Sequence, residues 1–288
     1  MKLVEEIMTD MPVLVQVPGN RNDAINAMVK EKVTGLPVIR ASDGMLVGII
    51  SRRDVFRNLK ETQLSLLMKK NPITISNKAT IEEAARIFFE KRIHRLPVIE
   101  EVPGKGKKLV GIITPTDLLK EIKRMKDVTF TAEDAIRVKC ATCYKEDPLS
   151  YVVNSMRISD VSAMPVLDEN GKMVGIITDR DLFADQTKDV TTLKAMGLDD
   201  TCMDLAGYRN VLPLFCIENN TEITSSSVSG FMVRDPTKVF KKSKLNDVAR
   251  IMYENDFGQI PVHGDNDELI GMVYDVDVLL ALIGEKDE

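Results

Sequence analysis

Residues 92–99 read RIHRLPVI. A His–Arg pair leads into an apolar run that a proline interrupts, and His94 is one of only two histidines in the chain. The interrupted run recurs. GLPVI ends at Ile39, RLPVI at Ile99, AMPVL at Leu167 and QIPVH at His263. Each is followed, after a turn-rich gap, by a second apolar run: LVGII, LVGII, MVGII and LIGMV. Each of these leads to an aspartate six residues beyond its glycine, in the pairs Gly48/Asp54, Gly111/Asp117, Gly175/Asp181 and Gly271/Asp277. Nine residues before each proline stands a large apolar residue, Met28, Phe88, Met156 or Met252. Met8, Met68 and Met232 each precede a further proline by four, whereas the third copy has Ile136 and Cys140 there. Agreement at so many offsets defines four copies of one unit.

The second copy shows the unit's elements. ITIS (73–76) reads as a short strand. Thr80-Ile-Glu-Glu83 is a capping box that starts a helix, whose apolar residues at 81, 84, 85, 88 and 89 share one face. Leu96–Ile99 and Leu109–Ile113 read as strands joined by the hairpin segment EEVPGKGKK, and a last helix starts near Thr114. The order is β-α-β-β-α, an α/β (α+β) unit. One copy cannot close a core, so copies must pair. The proline lacks an N–H, so its strand is expected at an edge or to start there. The free backbone groups of such an edge can read a flat base; equally, the proline can simply shape the strand entry.

The four copies span about 8–59, 68–122, 136–184 and 232–283, in a chain of 288 residues. Residues 184–230 form an insert that contains the strand-like VLPLFCI (211–217) and fits either a partner contact or closure of an edge. No apolar run approaches 18 residues, and the acidic start MKLVEEIMTDMP is unlike a signal peptide, so a cytoplasmic protein without a membrane span is expected. The net charge of −5 argues against broad nucleic-acid binding. That sum hides an asymmetry. Residues 1–127 carry 23 Lys+Arg against 16 Asp+Glu, a net +7, and residues 128–288 carry 16 against 28, a net −12. On charge alone an anionic small ligand favours the first half.

The repeat resembles the CBS domain, over nearly the whole chain. Such domains pair into Bateman modules, so the resemblance implies two, over residues 1–127 and 128–288. RIHRLPVI is similar to the corresponding stretch of the regulatory gamma subunits of AMP-activated protein kinase, which also carry four copies and bind adenine nucleotides. CBS modules as a class take AMP, ADP, ATP, S-adenosylmethionine or nothing detectable.

The segments after the last strands are Ser51-Arg-Arg-Asp54, Thr114-Pro-Thr-Asp117, Thr178-Asp-Arg-Asp181 and Tyr274-Asp-Val-Asp277. Ser/Thr-x-x-Asp at a helix start is a cap that needs no ligand. The same geometry offers free N–H groups and a hydroxyl to a phosphate, and a carboxylate to ribose hydroxyls. The resemblance implies that these residues do touch phosphate and ribose, with the nucleotide lying between paired copies. Ser51 and Asp54 would face Ile93, His94 and Arg95; Thr114 and Asp117 would face Thr34 and Gly35. Thr178 and Asp181 would face Gly258 and Gln259, and Asp277 would face Ser162 and Ala163. Arg52 or Arg53 would add a phosphate-matching fork to the first combination, which is the richest, and Arg180 stands at the equivalent place in the third copy. Tyr274 replaces the hydroxyl residue in the fourth copy, so its site is expected to be weak or empty. Read without the resemblance, His94 and Arg95 are a solvated loop pair.

Other motifs carry less. Cys140-Ala-Thr-Cys143 falls at the first strand of the third copy, and Cys202 and Cys216 lack the second CxxC of a zinc site. PGKGKK (103–108) lacks P-loop spacing, and Asp265–Glu268 is too short for a calcium loop. No nucleophile–base set recurs. The expectation is a non-enzymatic sensor of adenine nucleotides that has no catalytic cofactor and regulates an unknown protein. Its rivals are an S-adenosylmethionine-binding regulator, a ligand-free scaffold and an enzyme. Homodimerisation stays open.

Overall fold

The structure, a computed structural model, describes residues 2–57, 61–137, 140–159, 161–182 and 226–284. VLPLFCI and most of the insert lie outside them. The first repeat comprises β2 (Val15–Val17), α1 (Arg21–Lys30), β3 (Gly35–Arg40), β4 (Leu46–Ser51) and α2 (Arg52–Arg57), preceded by β1 (Thr9–Asp10). After α3 (Leu64–Leu67) and β5 (Lys69–Lys70), the second comprises β6 (Ile75–Ser76), α4 (Ile81–Lys91), β7 (Leu96–Val102), β8 (Gly106–Ile113) and α5 (Pro115–Ile122). The third has β9 (Cys143–Tyr144), α6 (Leu149–Ser159), β10 (Ala163–Leu167), β11 (Met173–Thr178) and α7 (Asp179–Leu182). The fourth follows β12 (Val233–Arg234) and has β13 (Val239–Phe240), α8 (Leu245–Asn255), β14 (Gln259–His263), β15 (Leu269–Tyr274), α9 (Asp275–Val278) and α10 (Leu280–Ile283).

Local chemistry sets these elements. Thr80 Oγ1 accepts from Glu83 N at 3.2 Å and Thr80 N donates to Glu83 at 2.7 Å, which closes the box at the start of α4. Ile81, Ala84, Ala85, Phe88 and Phe89 are all buried, as the periodicity requires. In each repeat the first strand runs parallel to the proline strand, across the helical crossover, and the last two strands form a hairpin. The β7–β8 hairpin runs further into EEVPGKGKK than expected. Glu100 pairs with Lys108 and Glu101 with Lys107, and these opposite charges extend the ladder to a turn around Gly104.

Three expectations are corrected. The proline strands are internal to their sheets, as in the order β2-β3-β4-β5. The proline is tolerated because the parallel ladder begins one residue later, at Val38, Val98, Val166 and Val262, so no neighbour asks for its missing N–H. The same offset shortens the ITIS strand to Ile75–Ser76. In the third copy only Cys143 of the CxxC enters a strand, and burial, then the nearby Asp147 charge, push its thiol up to about 12. That thiol is an inert core group, not a poised thiolate.

The Met-x-x-x-Pro segments exchange between repeats. β1 pairs with β8, β5 with β4 and β12 with β11, so the first and second repeats each lend a strand to the other. Met8 caps Gly111, Met68 caps Gly48, Met232 caps Gly175, and Ile136 takes the same place on Gly271. A Cβ on Gly48 would lie 2.7 Å from Met68 Sδ and 2.9 Å from the Lys69 carbonyl. The methionine can move aside, but the paired backbone cannot. Gly48→Val should therefore cost about 1–3 kcal/mol, the range for overpacking a filled site. An unchanged denaturation midpoint would contradict this.

Helix faces join the repeats the other way. One apolar core runs continuously through the second and fourth repeats and includes Phe88, Leu118, Met252 and Val278. A second joins the first and third through Met28, Leu36, Met156 and Met164. Strand exchange thus links the first repeat to the second and the third to the fourth, while shared cores link the first to the third and the second to the fourth. The starts of α2 and α7 meet through Arg52 and Asp179, and α9 packs against α5.

Candidate ligand site

Each last strand leads directly into its helix start, which in the first three repeats is a Ser/Thr-x-x-Asp segment. Ser51 N and Oγ both donate to Asp54 Oδ2, at 2.8 and 2.6 Å. Thr114 does the same to Asp117 at 2.8 and 2.8 Å, and Thr178 to Asp181 at 2.8 and 2.7 Å. The backbone N–H of Arg52 donates to the Thr34 carbonyl at 2.9 Å, that of Asp179 to Ser162 at 3.0 Å and that of Asp275 to Gly258 at 2.9 Å. In three repeats the helix start is thereby tied to the residue three before the proline. Pro115 has no N–H to donate in the second.

The fourth segment differs. Tyr274 N reaches Asp277 at 3.4 Å, and Asp277, which is fully buried, instead meets Arg92 of the second repeat. Arg92 Nη1 donates to Asp277 Oδ1 at 2.7 Å and Nη2 to Oδ2 at 3.4 Å, with the guanidinium 5.6 Å from the Tyr274 ring centroid. The hydrogen bonds to Asp277 hold the Arg92 pKa above its ordinary value.

The half-buried Arg95 lies across the first repeat's strand entry. A Cβ on Gly35 would sit 3.0 Å from Arg95 Nε, so glycine is what admits the guanidinium there. Burial, followed by the charge of Arg52 beside it, lowers the Arg95 pKa to about 10, and Asp275 opposes that shift. His94 Nδ1 lies 3.3 Å from Asp275 Oδ1. Arg52 forms an ion pair with Asp179 of the third repeat. Burial also raises the Asp117 pKa, against the hydrogen bonds from Thr114.

The residues expected to combine are therefore distributed as follows. Arg95 approaches Arg52 and Gly35, while His94, from the same stretch as Ile93, turns to Asp275. Thr114 and Asp117 bond each other, as do Thr178 and Asp181. Ser162 Oγ donates to Gln259 Oε1 at 3.1 Å, so the strand entries of the third and fourth repeats, which include Ala163 and Gly258, meet each other. Asp277 meets Arg92 where Ser162 and Ala163 were expected. Arg53 and Arg180 follow on α2 and α7. Sequence reasoning passed over Arg92, Asp179 and Asp275. A signal for the last two existed: the second residue of the four segments reads Arg52, Pro115, Asp179, Asp275, so it is acidic in both segments of the second half and in neither of the first.

Four such repeats, tied in pairs by charged contacts at their helix starts, define a tandem-repeat assembly and not a single enlarged domain. The chain belongs to the CBS-domain family, whose model matches residues 4–61, 64–124, 132–186 and 228–284. Its four CBS repeats make two Bateman modules. It is similar to the uncharacterized protein MJ1225 of Methanocaldococcus jannaschii, at 25% identity over 276 residues, covering 89% of this chain and 90% of that one. The solved structure of MJ1225, proposed as an archaeal homologue of the AMP-activated kinase gamma subunit, matches with a TM-score of 0.70 at 24% identity, over 96% of this chain and 98% of that one. An uncharacterized conserved protein from Pyrococcus horikoshii matches with a TM-score of 0.69 at 23% identity, over 97% and 99% of the two chains. A homoserine O-acetyltransferase from Methanohalobium evestigatum is 32% identical over 124 residues, which is 43% of this chain and 24% of the enzyme.

Proposed function

We propose that the chain is a non-catalytic regulatory protein that binds an adenine nucleotide in its first module, residues 1–127, with the second module, residues 128–288, stacked against it. The observation that carries this reading is the half-buried Arg95, laid across Gly35 and beside the second guanidinium of Arg52, with Asp275 as the opposing charge. Such a pair of forks is suited to a phosphate, which accepts bidentate charged hydrogen bonds. Ser51 donates to Asp54 Oδ2, which leaves Oδ1 to accept from ribose hydroxyls. The strand entry at Ile93, His94 and Arg95, which Ser51 and Asp54 are expected to face, would then take the base. The resemblance to the kinase gamma subunits supplies adenine as the base. Likeness to the acetyltransferase covers about a quarter of that enzyme and carries no catalysis with it.

S-Adenosylmethionine is the second reading, since it presents the same adenosyl group. Its cationic sulfonium suits a site with paired arginines poorly. Isothermal calorimetry of the full chain separates the two. AMP, ADP or ATP should bind with Kd below about 1 mM, the level of roughly −4 kcal/mol, and more tightly than S-adenosylmethionine. Absence of binding by all three nucleotides at millimolar concentration would overturn the proposal. No described helix is long and apolar enough to cross a membrane, which accords with a cytoplasmic site of action. The regulated partner would be a protein that senses the relative placement of the two modules.

A further inference from the structure

We infer that Asp179 and Asp275 set the affinity of the nucleotide site, by competing for the basic groups that a phosphate would take. This rests on the nucleotide reading above. Arg52 and Asp179 begin α2 and α7 and meet across the core shared by the first and third repeats. Asp275 begins α9 and meets His94 across the core shared by the second and fourth, with Arg95 within reach of its charge. Both carboxylates thus come from the acidic half of the chain, and all three basic groups come from the basic half. Each carboxylate offers a pair of acceptor oxygens, as one face of a phosphate would.

Neither carboxylate is needed to build its own helix start. The backbone of Asp179 is held by Ser162, and that of Asp275 by Gly258. Asp275 Oδ1 also accepts from Val276 N at 2.8 Å, a bond that an asparagine oxygen can keep. The contacts specific to charge are those with Arg52, His94 and Arg95. Bound phosphate must displace these internal anions, and each displaced pair is a link between the two modules. Ligand binding and module contact are therefore coupled reciprocally: what loosens the contact tightens the site.

The test compares the wild type with Asp179→Asn, Asp275→Asn and the double variant, titrated calorimetrically with AMP and with ATP, after circular dichroism confirms native folding. The double variant should bind at least tenfold more tightly than the wild type, and each single variant should fall between. A purely structural role would lower the melting midpoint and leave Kd within twofold. That result would overturn this inference and leave the nucleotide reading standing. Failure of the wild type and of every folded variant to bind either nucleotide would overturn both. If the double variant does not fold, the single variants carry the same comparison.

Discussion

Arg95→Ala should weaken AMP binding by about a hundredfold while raising the melting midpoint of the ligand-free chain. The two effects have one cause. Burial and Arg52 lower the Arg95 pKa to about 10, well below the ordinary guanidinium range, so the folded chain disfavours the charged form. A base whose folded pKa is depressed weakens the fold wherever it stays charged, and that penalty is present at neutral pH and fades only as pH rises through about 10. Removing the guanidinium removes the penalty. It also removes the charged hydrogen bonds to phosphate, worth about 1.5–3 kcal/mol each, which is a tenfold to hundredfold effect apiece. Arg95→Lys keeps the charge but loses the fork, and should bind with intermediate affinity. Calorimetry and thermal melting read the two effects separately. A variant that melts lower and binds AMP normally would mark Arg95 as a structural residue.

Arg92→Ala should have the largest effect on stability of the charge substitutions. Asp277 is fully buried and Arg92 is its charged partner. Stripping one partner from a buried pair costs about 3–5 kcal/mol. Arg92 itself is 37% exposed, so water takes up part of the loss and about 2–3 kcal/mol is expected. The double variant Arg92→Ala/Asp277→Asn should recover much of this, because no unpaired charge stays buried. Chemical denaturation of the two singles and the double gives the coupling energy directly. Equal midpoints for Arg92→Ala and the wild type would refute the assignment.

Most of the fold was legible in the sequence because its causes are local. The Pro–Val step, the apolar face of 81–89 and the box at Thr80 each act within one repeat, and four copies multiply the signal. The glycine six residues before each aspartate was visible as a spacing, but its reason was not. Gly48 is small because Met68 and the strand of the next repeat lie on it, and strand exchange is a relation between repeats. The site divides in the same way. Ser51, Asp54 and Arg95 were reached through the family resemblance, because the motif alone reads Ser51 and Asp54 as a helix cap and Arg95 as a solvated residue. Asp179, Asp275 and Arg92 could not be placed, because periodicity shows which helix face is buried and not which repeat covers it. Tyr274 signalled a defective fourth segment, yet nothing local foretold that Asp277 would be taken by an arginine 185 residues away.

The most direct test of the nucleotide site is a crystal structure of the chain grown with AMP. The phosphate is expected within hydrogen-bond distance of Arg95 and Arg52, with the ribose on Asp54 and His94 released from Asp275. A nucleotide bound at another junction, with Arg95 still across Gly35 and Arg52 still paired to Asp179, would contradict it.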